Sequence, residues 1–240
     1  MNNKKNNVVL ITGASRRLGK EIATFFAQNN FNVGIHYNKS KKDAIRLSSE
    51  LEKKFCVETV AFKADLRDIK QIKKLINDVY KVFGRLDVLV NNAAVYKKAN
   101  LIVTNEKIWD DTIDTNLKST FFLSKYASEK MLINRHGVII NIASLGGLKP
   151  FKEHIPYSVS KAGLIMLTRC LAKSLAPKIR VNAIAPGTIN FNEENLKAEK
   201  ILLKDYVDPK EIAKLVYSLT DEFKHITGQC IPIESGNLLI

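Results

Sequence analysis

The chain has few cysteines and no long apolar run, and these absences exclude several classes of protein. Its 240 residues include three cysteines, Cys56, Cys170 and Cys230, which are far apart and odd in number. They form neither a disulfide framework nor a metal-binding spacing, so we expect no metal site and a reducing, cytoplasmic location. No apolar run reaches the roughly 18 residues that a membrane span requires. The polar stretch Met1–Asn7 lacks the apolar core of a secretory signal.

Acidic residues are also scarce relative to basic ones. There are 24 Asp and Glu against 38 Lys and Arg, a net charge of +14. Such an excess is typical of proteins that bind nucleic acid or a membrane surface. Here it is mostly lysine, spread along helical patterns, in a chain that is also rich in asparagine and isoleucine, as an AT-rich genome would produce. We therefore expect no specific nucleic-acid partner and no membrane partner, and we interpret the charge as attraction for an anionic substrate or cofactor.

Short apolar segments alternate with amphipathic helical patterns along the whole chain. The predicted strands are Val8–Ile11, Phe31–Tyr37, Val57–Lys63, Leu86–Val90, Val138–Ile142, Ile179–Ala183 and Gln229–Ile233. The predicted helices are Leu18–Asn30, Lys41–Phe55 with Ser40 as its cap, Asp68–Phe83, Glu106–Ile133, Pro156–Leu175 and Pro209–Leu219. Apolar strands alternating with helices predict an α/β fold, a doubly wound parallel sheet of about seven strands covered on both faces.

A glycine-containing turn follows the first predicted strand. Its sequence is Thr12-Gly13-Ala14-Ser15-Arg16-Arg17-Leu18-Gly19. Gly13 permits a tight turn, and Gly19 permits close packing of the next helix on the strand. The free N–H groups of that helix then point at the ligand site, where they favour a diphosphate.

Tyr157 and Lys161 lie four residues apart at the start of a predicted helix, so both side chains share one helical face. An ammonium group beside a phenol lowers the phenol pKa. The pair therefore predicts an acid–base group able to protonate a carbonyl oxygen near neutral pH.

These motifs, with others in the same order, resemble the short-chain dehydrogenase/reductase family. The further matches are Asn91-Asn92-Ala93-Ala94 after the fourth strand, Asn116, Ser144 thirteen residues before Tyr157, Pro186-Gly187 and Thr227-Gly228-Gln229. The resemblance covers nearly the whole chain. It implies one Rossmann-type domain over residues 1–240 and hydride transfer between a nicotinamide cofactor and a small-molecule carbonyl substrate.

The resemblance also implies roles for individual residues. Tyr157 would protonate the developing alkoxide, and Lys161 would lower its pKa and hold the nicotinamide ribose. Ser144 would hydrogen-bond the substrate oxygen, and Asn116 would hold a water that extends a proton path from Lys161. The alternatives are a strand-end cap for Ser144 and an internally satisfied helix kink for Asn116.

The end of the second strand favours NADP(H) over NAD. Family members specific for NAD carry an acid there to bind the ribose hydroxyls. This chain has His36, Tyr37 and Asn38 instead, while Arg16, Lys39 and Ser40 can surround a 2′-phosphate. Asp65 would accept from the adenine amino group or cap the next helix. The full set expected to contact the cofactor is Gly13, Ser15, Arg16, Arg17, Leu18, Gly19, His36, Tyr37, Asn38, Lys39, Ser40, Asp65, Leu66, Asn92, Ala93, Ala94, Tyr157, Lys161, Pro186, Gly187, Thr188 and Ile189.

The sequence resembles two subsets of the family that act on different substrates. Arg17 replaces the glycine of most members and resembles the pteridine reductases, as does Tyr96, at the position of an aromatic that stacks on the pterin. A guanidinium at Arg17 would pair with diphosphate oxygens or a substrate acceptor, the alternative being a solvated surface side chain. Ser144 instead resembles ordinary ketoreductases such as 3-oxoacyl-acyl-carrier-protein reductase. The segment Thr188–Tyr206, with a small helix around Glu193–Leu203, corresponds to the substrate lid, and its short, polar sequence predicts a small or open site.

Two further hypotheses concern function and assembly. The alternative to an enzyme is a protein that keeps the fold but only binds NADP(H), although such proteins usually lack the tyrosine or lysine that this chain retains. Family members usually form two-fold symmetric dimers or tetramers through the two long helices, here Glu106–Ile133 and Pro156–Leu175, so we expect a homo-oligomer.

Overall fold

The computed structural model describes residues 6–191 and 201–240. Within them, seven strands form one parallel sheet in the order β3-β2-β1-β4-β5-β6-β7. The strands are β1 (Val8–Ile11), β2 (Asn32–Tyr37), β3 (Thr59–Lys63), β4 (Val88–Asn91), β5 (Gly137–Ile142), β6 (Ile179–Pro186) and β7 (Cys230–Ile233). This confirms the predicted doubly wound sheet.

Seven α-helices cover the two faces of the sheet. They are α1 (Arg17–Gln28), α2 (Lys41–Phe55), α3 (Ile69–Phe83), α4 (Glu106–Ile113), α5 (Ser119–Ile133), α6 (Ile155–Leu175) and α7 (Pro209–Asp221) among the described residues. The six longer predicted helices have counterparts among them with ends that differ by a few residues at most, and one of the six is interrupted.

The hydrophobic core is split by the sheet into two layers. On one face α1, α2 and α7 pack against the sheet through buried residues such as Phe26, Leu51 and Val216. On the other face α3 and α5 contribute residues such as Ile76 and Met131. The strands are apolar on both faces because both faces are covered, which explains their continuous apolar runs.

One predicted helix is wrong in its continuity. The segment Glu106–Ile133 consists of α4, a π-helical segment at Asp114–Lys118, and α5. Helical periodicity in the sequence continues through such a segment, so the pattern does not reveal it. Short π-helical segments are frequent at functional sites, and this one carries Asn116.

The chain reverses its direction of winding between β1 and β4. From β1 the sheet continues through β2 and β3 on one side, and from β4 through β5, β6 and β7 on the other. Loops at the carboxyl ends of β1 and β4 therefore lie side by side, and the Thr12 amide donates to Val90 O at 3.0 Å. In such sheets this crevice is where ligands bind.

Candidate functional site

The turn after β1 is held by its neighbours on both sides. Gly13 has a φ of 63°, a conformation that favours glycine. A side chain at Gly19 would place its Cβ 2.3 Å from Gly13 O, so only glycine fits where α1 packs on the turn. The Thr12 hydroxyl accepts from the amides of Asn92 and Ala93, at 2.9 and 3.0 Å. The turns after β1 and β4 thus form one rigid cradle, as a phosphate site requires.

His36 supports this cradle from within the fold. Its Nδ1 accepts from the Gly13 amide at 3.1 Å, and its Nε2 lies 3.1 Å from Ala64 O. Nε2 therefore carries the proton, and burial lowers the pKa of His36 to about 4. Since both ring nitrogens are engaged, His36 positions the turn rather than offering a free ring nitrogen to a cofactor. The sequence analysis predicted that His36 contacts the cofactor directly.

Positive side chains gather at the end of β2. Arg16 donates to the Ser40 hydroxyl and lies 3.5 Å from the Asp43 carboxylate. Ser40 occupies the position before α2, but its side chain makes no capping hydrogen bond, so the predicted cap is wrong. Arg16 and Lys39 are exposed in the wall of a cavity of about 660 Å³, together with Gly13, Ser15, Arg17, Leu18, Gly19, Tyr37, Asn38, Ser40, Asn92, Ala93, Ala94 and Phe191.

A second cavity, of about 290 Å³, adjoins the first at the end of β3. It contains the predicted Asp65 and Leu66, and Arg67, Val95, Lys97, Asp111 and Thr115, which the sequence reasoning missed. Asp68, not Asp65, is the cap of α3, because its carboxylate accepts from the Lys70 amide at 2.8 Å. Hydrogen bonds from Arg67 lower the pKa of Asp65 to about 2. Asp65 therefore stays ionised as an acceptor at the edge of this cavity.

The structure brings Ser144 and Tyr157 together. Ser144 ends the β5 segment, and its Oγ accepts from the Gly146 amide at 3.1 Å, so it is also a cap for the turn that follows. The side chains of Ser144 and Tyr157 line the same cavity and interact with one another. Lys161 Nζ lies one helical turn away, 5.7 Å from the centre of the Tyr157 ring. The structure thus brings the three predicted catalytic residues together, and their catalytic roles stay predictions.

The electrostatics of this pair differ from the sequence-based expectation. Burial raises the pKa of Tyr157, and the adjacent Ser144 side chain offsets part of that rise. The expectation that Lys161 lowers the Tyr157 pKa below its ordinary value is therefore wrong, because burial of the phenol is the larger effect. Lys161 is itself only 2% exposed. Burial lowers the pKa of Lys161 to about 7, and Nζ donates to Ile142 O at 2.7 Å. Near neutral pH the lysine is therefore poised between its charged and neutral forms.

Asn116 is held in place from three directions. Its Oδ1 accepts from the Val95 amide at 2.7 Å, and its Nδ2 donates to Val95 O and to Ser160 Oγ, both at 3.0 Å. Ser160 Oγ in turn donates to Tyr157 O at 2.7 Å. The side chain therefore ties the loop after β4 to the catalytic helix, as the internally satisfied alternative predicted. The water-holding role stays a prediction.

A cavity of about 330 Å³ opens above Ser144 and Tyr157. Its walls are mostly apolar or aromatic: Tyr96, Leu145, Phe151, Pro186, Gly187, Thr188, Ile189 and Phe191. Tyr96 is 60% exposed, stacks on His154 with ring centres 4.2 Å apart, and meets the edge of Tyr157 at 4.8 Å. The predicted substrate residues Tyr96 and Ser144 therefore lie in one cavity with the predicted proton donor.

Thr188 and Asn190, which border this cavity or follow it in the chain, are joined by backbone hydrogen bonds to Val207. The Asn190 amide donates to Val207 O and the Val207 amide to Thr188 O, both at 3.0 Å. Most of the predicted helix Glu193–Leu203 lies outside the described residues, and residues 201–203 at its end form a bend and turn.

Arg17 takes an unusual backbone conformation for a non-glycine residue. Its φ is 51°, in the left-handed region, which agrees with its place at a position that is usually glycine. Its guanidinium carbon lies 5.6 Å from the centre of the Phe191 ring. Arg17 is therefore an exposed side chain that lies beside Phe191, and its pairing with a diphosphate or a substrate acceptor stays a prediction.

In residues 6–191 and 201–240, no group of three or more His, Cys, Asp or Glu side chains is placed to hold a metal ion. Within the same ranges, no helix has the length and apolar character needed to cross a membrane.

Comparisons with known proteins agree with this geometry. The model of the short chain dehydrogenase family matches residues 7–200. A 3-oxoacyl-[acyl-carrier-protein] reductase from Staphylococcus epidermidis is 39% identical over 241 residues, covering 96% of this chain and 98% of that protein.

Solved structures are similar over the same extent. An acetoin dehydrogenase from Enterobacter cloacae has a TM-score of 0.92 and 30% identity, covering 98% of this chain and 97% of that one. The FolM alternative dihydrofolate reductase 1 from Brucella canis, complexed with NADP, has a TM-score of 0.91 and 28% identity, covering 98% and 96%. With the family model matching most of the sequence and relatives matching nearly all of it, the chain belongs to the short chain dehydrogenase family of oxidoreductases.

Proposed function

We propose that the protein is an NADPH-dependent ketoreductase whose substrate is a 3-oxoacyl thioester. The observation that carries the proposal is the placing of the Ser144 and Tyr157 hydroxyls in one mostly apolar cavity, beside the turn after β1. Two adjacent hydroxyls suit a single carbonyl oxygen, which one orients and the other protonates.

In the proposed reaction, each residue of the site has a separate role. When bound, NADPH supplies the hydride. Ser144 donates a hydrogen bond that orients the substrate oxygen, and Tyr157 donates the proton that this oxygen needs once the carbonyl carbon is reduced. Lys161, with a pKa near 7, is able to give a proton back to Tyr157 between turnovers. Asn116 keeps the catalytic helix in register with the loop after β4.

The cradle and the end of β2 support NADPH as the cofactor. Ser15, Leu18 and the other backbone groups of the turn suit a diphosphate, and Pro186, Gly187, Thr188 and Ile189 border the nicotinamide end. Arg16, Lys39 and Ser40 offer two charges and a hydroxyl to a 2′-phosphate. No carboxylate stands at the end of β2 itself, where ribose hydroxyls would need one.

A second candidate, reduction of a pteridine, is favoured by Tyr96. Its exposed ring forms one wall of the substrate cavity and is able to stack on a flat heterocycle. Ser144 favours the carbonyl, because reduction of a ring C=N places the proton on nitrogen, where family members commonly carry an aspartate. A protein that binds NADP(H) without turnover is disfavoured because Tyr157 and Lys161 are both in place.

We also propose a two-fold symmetric homo-oligomer in the cytoplasm. Phe121 on α5 and Val159 and Met166 on α6 are about half exposed, at 43%, 45% and 55%, on the helices that family members use for assembly. The three cysteines are unpaired, with Cys56 and Cys170 exposed, which suits a reducing compartment.

NADPH oxidation against a panel of acceptors tests the proposed activity. The panel contains acetoacetyl thioesters of coenzyme A and acyl carrier protein, dihydrobiopterin, simple ketones and quinones. We expect the thioesters to give the highest kcat/KM, with NADPH preferred over NADH. Turnover of dihydrobiopterin alone would replace the first candidate by the second, and no turnover of any acceptor despite tight NADPH binding would favour the non-catalytic alternative.

A further inference from the structure

Arg67 lies in the wall of the 290 Å³ cavity, and its guanidinium is held by two carboxylates. Its Nε and Nη2 donate to Oδ1 and Oδ2 of Asp65 at 3.1 and 2.6 Å, a two-point fork. Its Nη1 donates to Oδ1 of Asp111, in α4, at 2.9 Å. Each of the three guanidinium nitrogens is therefore engaged by a carboxylate oxygen.

This arrangement determines what Arg67 can offer a ligand. Guanidinium N–H groups lie in the plane of the group, so bonds from all three nitrogens use three of its five donors and fix its plane. The faces carry no hydrogen-bonding group and remain for stacking on a flat ring. The side chain is 43% exposed, so the guanidinium is not sealed within the protein.

The rest of the cavity suits one flat, mostly apolar ring with a single amino group. Leu66, Ala94 and Val95 form its apolar surface. Asp65 stays ionised, as its low pKa indicates, and a carboxylate oxygen accepts up to two hydrogen bonds. Asp65 Oδ2 therefore retains acceptor capacity beside its bond from Arg67.

We propose that Arg67 is a cofactor-binding residue whose guanidinium face stacks on the adenine ring, with Asp65 and Asp111 locking its plane. The proposal rests on the dinucleotide site of the proposed function. Adenine is common to NAD and NADP, so the proposal does not depend on which of the two is preferred.

The alternative is that Arg67 only neutralises Asp65 and Asp111. The same cluster contains a matched control for this alternative. Lys107 Nζ lies 3.2 Å from Asp111 Oδ2, is 79% exposed, and is not part of the cavity wall. Arg67→Met and Lys107→Met therefore remove the same charge from one cluster, but only the first removes a stacking face.

The experiment measures dissociation constants by isothermal titration calorimetry for adenosine 2′,5′-bisphosphate and cytidine 2′,5′-bisphosphate. Both bases carry an exocyclic amino group for Asp65, but adenine has the larger stacking surface. The quantity of interest is the ratio of the two constants, because a general distortion of the site affects both ligands alike. The proteins compared are the wild type, Arg67→Met, Arg67→Lys and Lys107→Met.

We expect the wild type and Lys107→Met to prefer the adenosine ligand by about tenfold or more, a typical effect of base stacking. Arg67→Met and Arg67→Lys should reduce that preference to about twofold, since lysine restores the charge without the flat face. An unchanged preference in Arg67→Met, full recovery in Arg67→Lys, or an equal loss in Lys107→Met would overturn the proposal.

Failure of the proposed NADP preference has a different signature. If the wild type binds neither bisphosphate but binds NADH, the 2′-phosphate subsite is wrong, and the same ratios are then measured with 5′-AMP and 5′-CMP. The two outcomes are thus separated within one set of titrations.

Discussion

Replacing Lys161 by methionine should stabilise the fold at low pH while removing activity. The ammonium is 2% exposed, and burial lowers its pKa from 10.5 to about 7. Each pKa unit corresponds to about 1.4 kcal/mol, so the folded protein bears a cost of roughly 5 kcal/mol for this residue at pH 6. Methionine removes that cost but also loses the hydrogen bond to Ile142 O, worth about 1–3 kcal/mol.

The pH dependence has a definite sign. Between pH 7 and 10.5 the unfolded chain binds more protons at Lys161 than the folded protein does, so stability of the wild type rises with pH through this window. By pH 10 the cost has fallen to about 1 kcal/mol. Lys161→Met should therefore be more stable than the wild type by about 2–4 kcal/mol at pH 6, and equal or less stable at pH 10.

Urea unfolding followed by circular dichroism, at equal protein concentration from pH 6 to pH 10, measures this difference. Lys173→Met is the matched control, because Lys173 lies on the same helix but is exposed. The control should change the free energy of unfolding by less than about 0.5 kcal/mol at either pH. If the free energies of unfolding of Lys161→Met and the wild type differ by the same amount at pH 6 and pH 10, the assignment of a buried lysine with a lowered pKa is refuted.

Two further predictions concern the cofactor end of the site. Lys39→Glu should weaken NADPH binding by about tenfold or more while changing NADH binding by less than about threefold, because it places a carboxylate against the 2′-phosphate. Titrations of Lys42→Glu, an exposed neighbour outside the cavity wall, provide the control, and equal losses for both dinucleotides would count against the subsite. His36 has a pKa of about 4 against 6.5, so its contribution to stability, present above pH 6.5, should fall by about 3 kcal/mol as the pH drops to 4. The melting temperatures of the wild type and His36→Gln should therefore approach each other as the pH falls from 6.5 to 4. A difference between the two melting temperatures that does not change with pH would contradict a neutral His36.

The sequence was sufficient for the fold because local patterns and global topology agree. Apolar strands between amphipathic helices allow few arrangements other than a doubly wound sheet, and right-handed crossovers fix its order. The cradle was predictable too, since Gly13 takes a positive φ and a Cβ at Gly19 would lie 2.3 Å from Gly13 O.

Other features depend on distances that no pattern encodes. The depressed pKa of Lys161 follows from burial under β5, and the sequence shows only that a lysine lies four residues after a tyrosine. Arg67 was missed because its partner Asp111 is 44 residues away and meets it only in the folded chain. The π-helical segment was missed in the same way: Asn116 within it binds Val95, 21 residues earlier, and helical periodicity does not encode that contact.

The most direct test of the proposed chemistry is a single-turnover measurement on Tyr157→Phe. The variant is mixed with NADPH and an acetoacetyl thioester, and the loss of nicotinamide absorbance is followed beside a titration of NADPH binding. In the proposed mechanism Tyr157 donates the proton to the substrate oxygen. We therefore expect the rate of NADPH oxidation to fall by about a thousandfold, with the dissociation constant for NADPH within about threefold of the wild type. Oxidation at a near-normal rate by a variant that still binds NADPH would contradict the role of Tyr157 as the proton donor.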